Sequence, residues 1–72
     1  MTLDLIEAFM KLVEQKSFVR AAESLYISQS SLSHRINLLE AELNATLIVR
    51  ARGKRSFELT QAGIEFIPIA ER

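Results

Sequence analysis

The 72-residue chain has room for one domain, and its 49% hydrophobic content is too high for a disordered segment. The absence of cysteine excludes a disulfide scaffold or a thiolate zinc site, no run of about 18 apolar residues is present to span a membrane, and Met1-Thr2-Leu3-Asp4 lacks the basic start of a secretion signal, so a cytoplasmic location is expected. Net charge is zero, which argues against nucleic acid, yet Arg50, Arg52, Lys54 and Arg55 crowd four of the nine basic residues into six positions, and placement matters more than the total.

Thr2 is a candidate N-cap for a first helix, with Asp4 and Glu7 near the positive end of its dipole. Leu3, Ile6, Phe9, Met10 and Val13 recur at helical spacing and predict its apolar face, and Lys16 ends the pattern. Ser17 is the next cap candidate. Phe18, Ala21, Ala22 and Leu25 follow at i, i+3, i+4 and i+7, a short helix whose alanines let another helix approach closely. Arg20 and Glu23 point away from that stripe.

Tyr26-Ile27-Ser28 interrupts the pattern, with Tyr26 expected to pack at the turn. Ser28 caps a longer helix with Leu32, Ile36, Leu39 and Leu43 on one side. Ser30, Ser33, His34 and Asn37 lie on the other, with Gln29 at the N-terminal rim. Glu40 and Glu42 are expected to face solvent, and Asn44 suits a left-handed close.

Leu47-Ile48-Val49 is short and β-prone, and Ser56-Phe57-Glu58-Leu59-Thr60 alternates with period two. Ala51-Arg52-Gly53-Lys54 between them holds a turn glycine, which predicts a two-stranded hairpin with a basic tip. Such a ribbon is marginal alone, so Phe57 and Leu59 are expected to pack on the helices. Thr60 caps a last helix beginning at Gln61, which Pro68 is expected to bend by removing one hydrogen bond. The helical pattern still runs at Arg72, so further chain is expected.

A short helix joined by a tight turn to a longer one is the helix-turn-helix unit. In that unit the first of the two helices crosses the DNA backbone and the second enters the major groove. The longer helix has suitable chemistry. Gln29 can pair in bidentate fashion with adenine, while Ser30, Ser33 and His34 reach base edges or bridging water. Arg35 and Asn37 meet bases or phosphate, and Ser17, Ser28 and Ser31 carry short hydroxyls suited to phosphate oxygens. Arg20 sits where the short helix would meet the strand. Arg52 and Lys54 flank Gly53, and an arginine there is suited to a narrow minor groove.

These motifs carry a resemblance over nearly the whole chain. Ser17-Phe18-Val19-Arg20-Ala21-Ala22-Glu23-Ser24-Leu25, Ile27-Ser28-Gln29-Ser30-Ser31-Leu32-Ser33 and Ile36-Asn37-Leu38-Leu39-Glu40-Ala41-Glu42-Leu43 resemble successive motifs of the LysR-type transcription regulators. Leu47-Ile48-Val49-Arg50 and Leu59-Thr60-Gln61-Ala62-Gly63 are similar to two more. The resemblance implies a mainly α winged helix-turn-helix with a small β-hairpin over residues 1–60. It also implies the start of a linker, or dimerisation, helix over 61–72, followed by an effector-binding domain that this chain lacks. The implied function is sequence-specific binding of double-stranded DNA for transcription control. The implied assembly is a homodimer through the linker helix and a tetramer in a full-length protein, with a small-molecule effector bound only by the missing domain.

By position, Gln29, Ser30, Ser33 and His34 resemble base-reading residues. Ser17, Arg20, Ser31 and Arg50 resemble phosphate contacts, with Ser28, Arg35 and Lys54 joining them on their chemistry, and Arg52 resembles the wing contact. Phe66, Ile67, Ile69 and Ala70 form an apolar surplus expected to serve dimerisation. Three positions depart from the family pattern. Ser30 stands where a proline that packs on a thymine methyl is frequent, so the base preference there is open. Asn44 replaces a glycine, which left-handed geometry tolerates, and Ile48 replaces a phenylalanine.

Other readings of the same residues stay open at this stage. The basic run can be a plain solvated loop, and a winged helix can serve protein–protein contact, which the acidic first helix favours. An enzyme is disfavoured, because no base and orienting partner accompany the serines and no second His or Cys accompanies His34. No catalytic residue, metal or cofactor is assigned.

Overall fold

The computed structural model describes residues 1–50 and 57–71; the expected hairpin tip, with Arg52 and Lys54, lies outside them. In chain order the described elements are α1 (Leu3–Gln15), α2 (Phe18–Ser24), α3 (Gln29–Leu43), β1 (Ile48–Arg50), β2 (Phe57–Leu59) and α4 (Gln61–Ala70). α1 packs against α2, α3 and α4, so it forms the middle of the fold. β1 and β2 pair antiparallel in the register Ile48↔Leu59, Val49↔Glu58 and Arg50↔Phe57. β1 thus begins one residue later than the β-prone run that predicts it.

The core is Leu5, Ala8, Phe9, Leu12, Ala21, Ala22, Leu32, Ile36, Leu39, Leu47, Ile48 and Phe66. α1 departs from its expected face. Leu5, Ala8, Phe9 and Leu12 turn inward, Leu3 is 75% exposed, and Ile6, Met10 and Val13 lie half-buried along the rim. At 100° per residue the true face lies roughly 100° round the helix from the predicted one. Eight apolar residues spread over more than half of α1, so either edge of the band shows helical spacing; the packing of α2 and α3 selects the inner one.

Three hydroxyls start helices as expected. Ser17 Oγ accepts the Arg20 N–H at 3.2 Å, Ser28 Oγ the Ser31 N–H at 3.0 Å, and Thr60 Oγ1 the Gly63 N–H at 3.0 Å. Thr2 holds the N-cap position of α1, but its side chain makes no capping bond; its carbonyl accepts from Leu5 and Ile6 instead.

Both helices of the helix-turn-helix close through a left-handed residue. At the end of α2, Tyr26 has φ 57°, its N–H donates to the Glu23 carbonyl, and the Ile27 N–H donates to that of Ala22. At the end of α3, Asn44 has φ 52°, its N–H donates to Ala41, and the Ala45 N–H donates to Glu40. This pair of reverse bonds is the Schellman arrangement, which satisfies carbonyls left open at a helix end. Tyr26 does not pack at the turn: the left-handed backbone carries its ring outward, 96% exposed.

Glu40 is also not a solvent-face acid. Its Oε2 accepts the N–H groups of Leu47 at 2.7 Å and Ile48 at 3.2 Å, while its carbonyl holds Ala45. One residue therefore satisfies both backbone donors at the start of β1 and sets where the hairpin leaves α3. Glu42 does face solvent and pairs with the Met1 amine at 3.2 Å.

α4 returns across the start of the hairpin. Thr60 N–H donates to the Leu47 carbonyl at 2.9 Å, and the Thr60 hydroxyl donates to that of Thr46. A Cβ on Gly63 would stand 2.2 Å from the Leu47 carbonyl oxygen, so any side chain there would force the backbone of this crossing to shift. Phe66 then meets Phe9 edge-on, with ring centroids 5.4 Å apart. The helix runs through Pro68, which sits exposed near its end.

Candidate nucleic-acid interface

The two-sided sequence of α3 becomes two physical faces. Leu32, Ile36 and Leu39 are buried against the domain, with Leu43 half-buried below them. Gln29, Ser30, His34 and Asn37 are exposed on the outer side, and Ser33 is half-buried at its edge. Ser28 at the cap and Ser31 in the first turn are exposed, and the Ser28 hydroxyl donates to Ser31 Oγ at 3.0 Å. The N-terminal end of α3 therefore presents short hydroxyls and an amide beside the positive end of a helix dipole. Leu38, 43% exposed, adds an apolar member to the outer side.

Arg50 joins this face from the hairpin. Its Nη2 donates to Ser33 Oγ at 2.8 Å, and its guanidinium lies 4.4 Å from the centroid of the Phe18 ring. Phe18 in turn meets Phe57 edge-on at 5.6 Å. The base of the wing, the start of α2 and the outer side of α3 are thereby tied together, with Phe57 and Leu59 packed on the helices as the alternation requires.

Other expected contacts fall differently. Ser17 and Arg20 occupy the N-terminal turn of α2, with Arg20 exposed and Ser17 half-buried. Arg35 is half-buried, and the helical repeat puts it roughly 160° from Ser33, so it does not share the outer face. Phe66 is 5% exposed in the core and offers no surface to a second chain, because α4 turns it onto Phe9. Ile67 and Ala70 are half-buried against the same core, leaving Ile69 (56% exposed) and Ile64 (50% exposed) as the open apolar groups of α4.

Among the described residues no three His, Cys, Asp or Glu side chains gather as metal ligands, and no helix is long and apolar enough to cross a membrane.

The pattern that defines the bacterial regulatory helix-turn-helix proteins of the lysR family matches residues 3–64. The chain belongs to that family. It is similar to the HTH-type transcriptional regulator HdfR of Yersinia pestis (strain Pestoides F), 42% identical over 71 residues. That match covers 99% of this chain but 24% of HdfR, so the chain spans about a quarter of the length of such relatives. Among solved structures, the CbnR DBD–DNA complex has a TM-score of 0.92 at 32% identity, covering 100% of this chain and 80% of that one. The BenM DBD complex with catB site 1 DNA has a TM-score of 0.86 at 38% identity, covering 99% and 78%. The lysR-type winged helix-turn-helix is thus the fold of this chain, and the family is one of transcription regulators rather than enzymes.

Proposed function

We propose that this domain binds double-stranded DNA in a sequence-specific manner to regulate transcription, with α3 in the major groove and the hairpin tip in the minor groove. The observation that carries the reading is the outer side of α3. Gln29, Ser30, His34 and Asn37 have no packing role there, yet they are held on a rigid helix beside Arg50. Gln29, Ser30, Ser33 and His34 are assigned to base edges, and Ser17, Arg20, Ser28 and Ser31 to phosphates. Lys54 and Arg52 act from the tip, Arg52 in the minor groove. The similar CbnR and BenM domains, solved with DNA, support the docking mode.

In the same reading, residues 61–72 begin a linker helix through which two chains pair, using Ile69 with the outer edges of Ile67 and Ala70. An effector-binding domain occupies the remaining length of the whole protein, which acts in the cytoplasm and assembles further into a tetramer. A form extended past residue 72 is expected to sediment as a dimer; a monomer at high concentration would contradict the pairing.

The DNA reading is tested by gel shift with random duplex across a salt series. A shift that weakens steeply as salt rises is expected, with a log–log slope of about −0.9 per phosphate neutralised. No shift at low salt would instead favour a winged helix used for protein contact.

A further inference from the structure

Arg50 reads from sequence as a phosphate contact, but its guanidinium is already engaged inside the domain. One face lies over the Phe18 ring and one N–H is given to Ser33. We propose that Arg50 is a positioning residue for base recognition: it fixes the Ser33 hydroxyl, and so sets the sequence preference at the base pair Ser33 meets. The inference rests on the DNA-binding reading above and extends it to a residue outside α3.

A serine hydroxyl carries one proton and two lone pairs, and it rotates to suit its partners. Left alone on a helix edge, Ser33 can donate or accept and discriminates little between bases. With a lone pair held by Arg50 Nη2 at 2.8 Å, rotation of the hydroxyl is restricted, and the proton becomes the group available to an incoming base. The preferred partner is then a major-groove acceptor, such as guanine O6 or N7 or thymine O4.

Arg50 is itself held on two sides. Its backbone pairs with Phe57 across the hairpin, and Phe57 packs edge-on against the Phe18 ring that carries the guanidinium. The circuit Ser33–Arg50–Phe57–Phe18 passes through α3, β1, β2 and α2. A planar fork stacked on an aromatic face keeps a direction that a lysine ammonium does not.

The experiment begins by selecting duplexes from a random pool with the unaltered chain. Affinities for every single base-pair change in the best site are then measured by fluorescence anisotropy for the wild type, Ser33→Ala, Arg50→Lys and the double variant, at several salt concentrations. Ser33→Ala identifies the pair concerned as the one whose discrimination disappears. Arg50→Lys keeps the charge, so the salt slope is expected to hold, while discrimination at that same pair falls from about fivefold or more to about twofold or less. The double variant should lose no more discrimination than either single one. Arg50→Gln, which removes the charge, should show the same loss of preference, and circular dichroism checks that each variant is folded.

Uniform weakening of all duplexes by Arg50→Lys or Arg50→Gln, with preferences intact, would return Arg50 to a phosphate contact and overturn the proposal. So would a Ser33→Ala variant with unchanged preferences. A wild-type chain that binds duplex but selects no sequence would sink the base-reading function itself, a result distinct from either of these.

Discussion

Replacing Gly63 with alanine sets two physical effects against each other with opposite signs. Helix propensity alone favours the change, since alanine is better than glycine inside a helix by about 1 kcal/mol. The structure argues the other way. The new Cβ would stand 2.2 Å from the Leu47 carbonyl oxygen, 3.1 Å from its carbon and 3.3 Å from Leu59 Cδ2. Relief requires α4 and the start of β1 to separate by roughly 1 Å, and overpacking of this kind costs about 1–3 kcal/mol. The obstacle is backbone, pinned by Glu40 on the Leu47 N–H and by the Thr60 N–H on the Leu47 carbonyl. Stretching that second bond costs about 1 kcal/mol more. The balance is a destabilisation of roughly 1–3 kcal/mol, read in urea or thermal unfolding as a fall in Tm of about 4–8 °C per kcal/mol in a domain of this size. A Gly63→Ala chain that melts at or above the wild-type temperature would refute the close-approach argument.

Glu40→Ala leaves the Leu47 and Ile48 N–H groups without their acceptor and is expected to cost about 1–3 kcal/mol in urea unfolding. Glu40→Gln, which keeps an acceptor oxygen, should recover most of that loss. Ser28→Ala removes the hydroxyl that caps α3 and should lower stability by about 1 kcal/mol in the same assay. Gln29→Ala is expected to relax preference at one base pair at a cost of roughly 1–3 kcal/mol in binding, measured on a panel of duplexes; unchanged affinity and preference would remove Gln29 from the base-reading set.

The parts legible in the sequence are those governed by local rules. Ser17, Ser28 and Thr60 each begin a helix because a short hydroxyl oxygen reaches forward to accept the free N–H three residues on. The α3 seam is legible because Leu32, Ile36 and Leu39 form a narrow stripe opposite the polar Ser30, His34 and Asn37. The phase of α1 is not legible for the opposite reason: its apolar band is broad, and only its neighbours decide which edge goes inward. The outward ring of Tyr26 is hidden from sequence because tyrosine rarely adopts the left-handed backbone that carries it into solvent.

Long-range pairings left weaker traces. Glu40 lies on α3 roughly 70° from the centre of the leucine–isoleucine seam, too near the buried side for an acid without a partner, and that position was a usable signal. Its partners, the N–H groups of Leu47 and Ile48, depend on how the chain turns after Asn44 and carry no side-chain signature. The same holds for Arg50, whose bond to Ser33 joins residues 17 apart in sequence. Phe66 looked like surplus apolar surface because the return of α4 onto Phe9 is a tertiary event.

Methylation interference on a selected duplex tests the placement of α3 most directly. Dimethyl sulfate marks guanine N7 in the major groove and adenine N3 in the minor groove. Binding by this chain is predicted to be blocked by guanine N7 methylation at the base pairs that α3 meets in the major groove. Full binding to those duplexes, with interference confined to adenine N3, would contradict it.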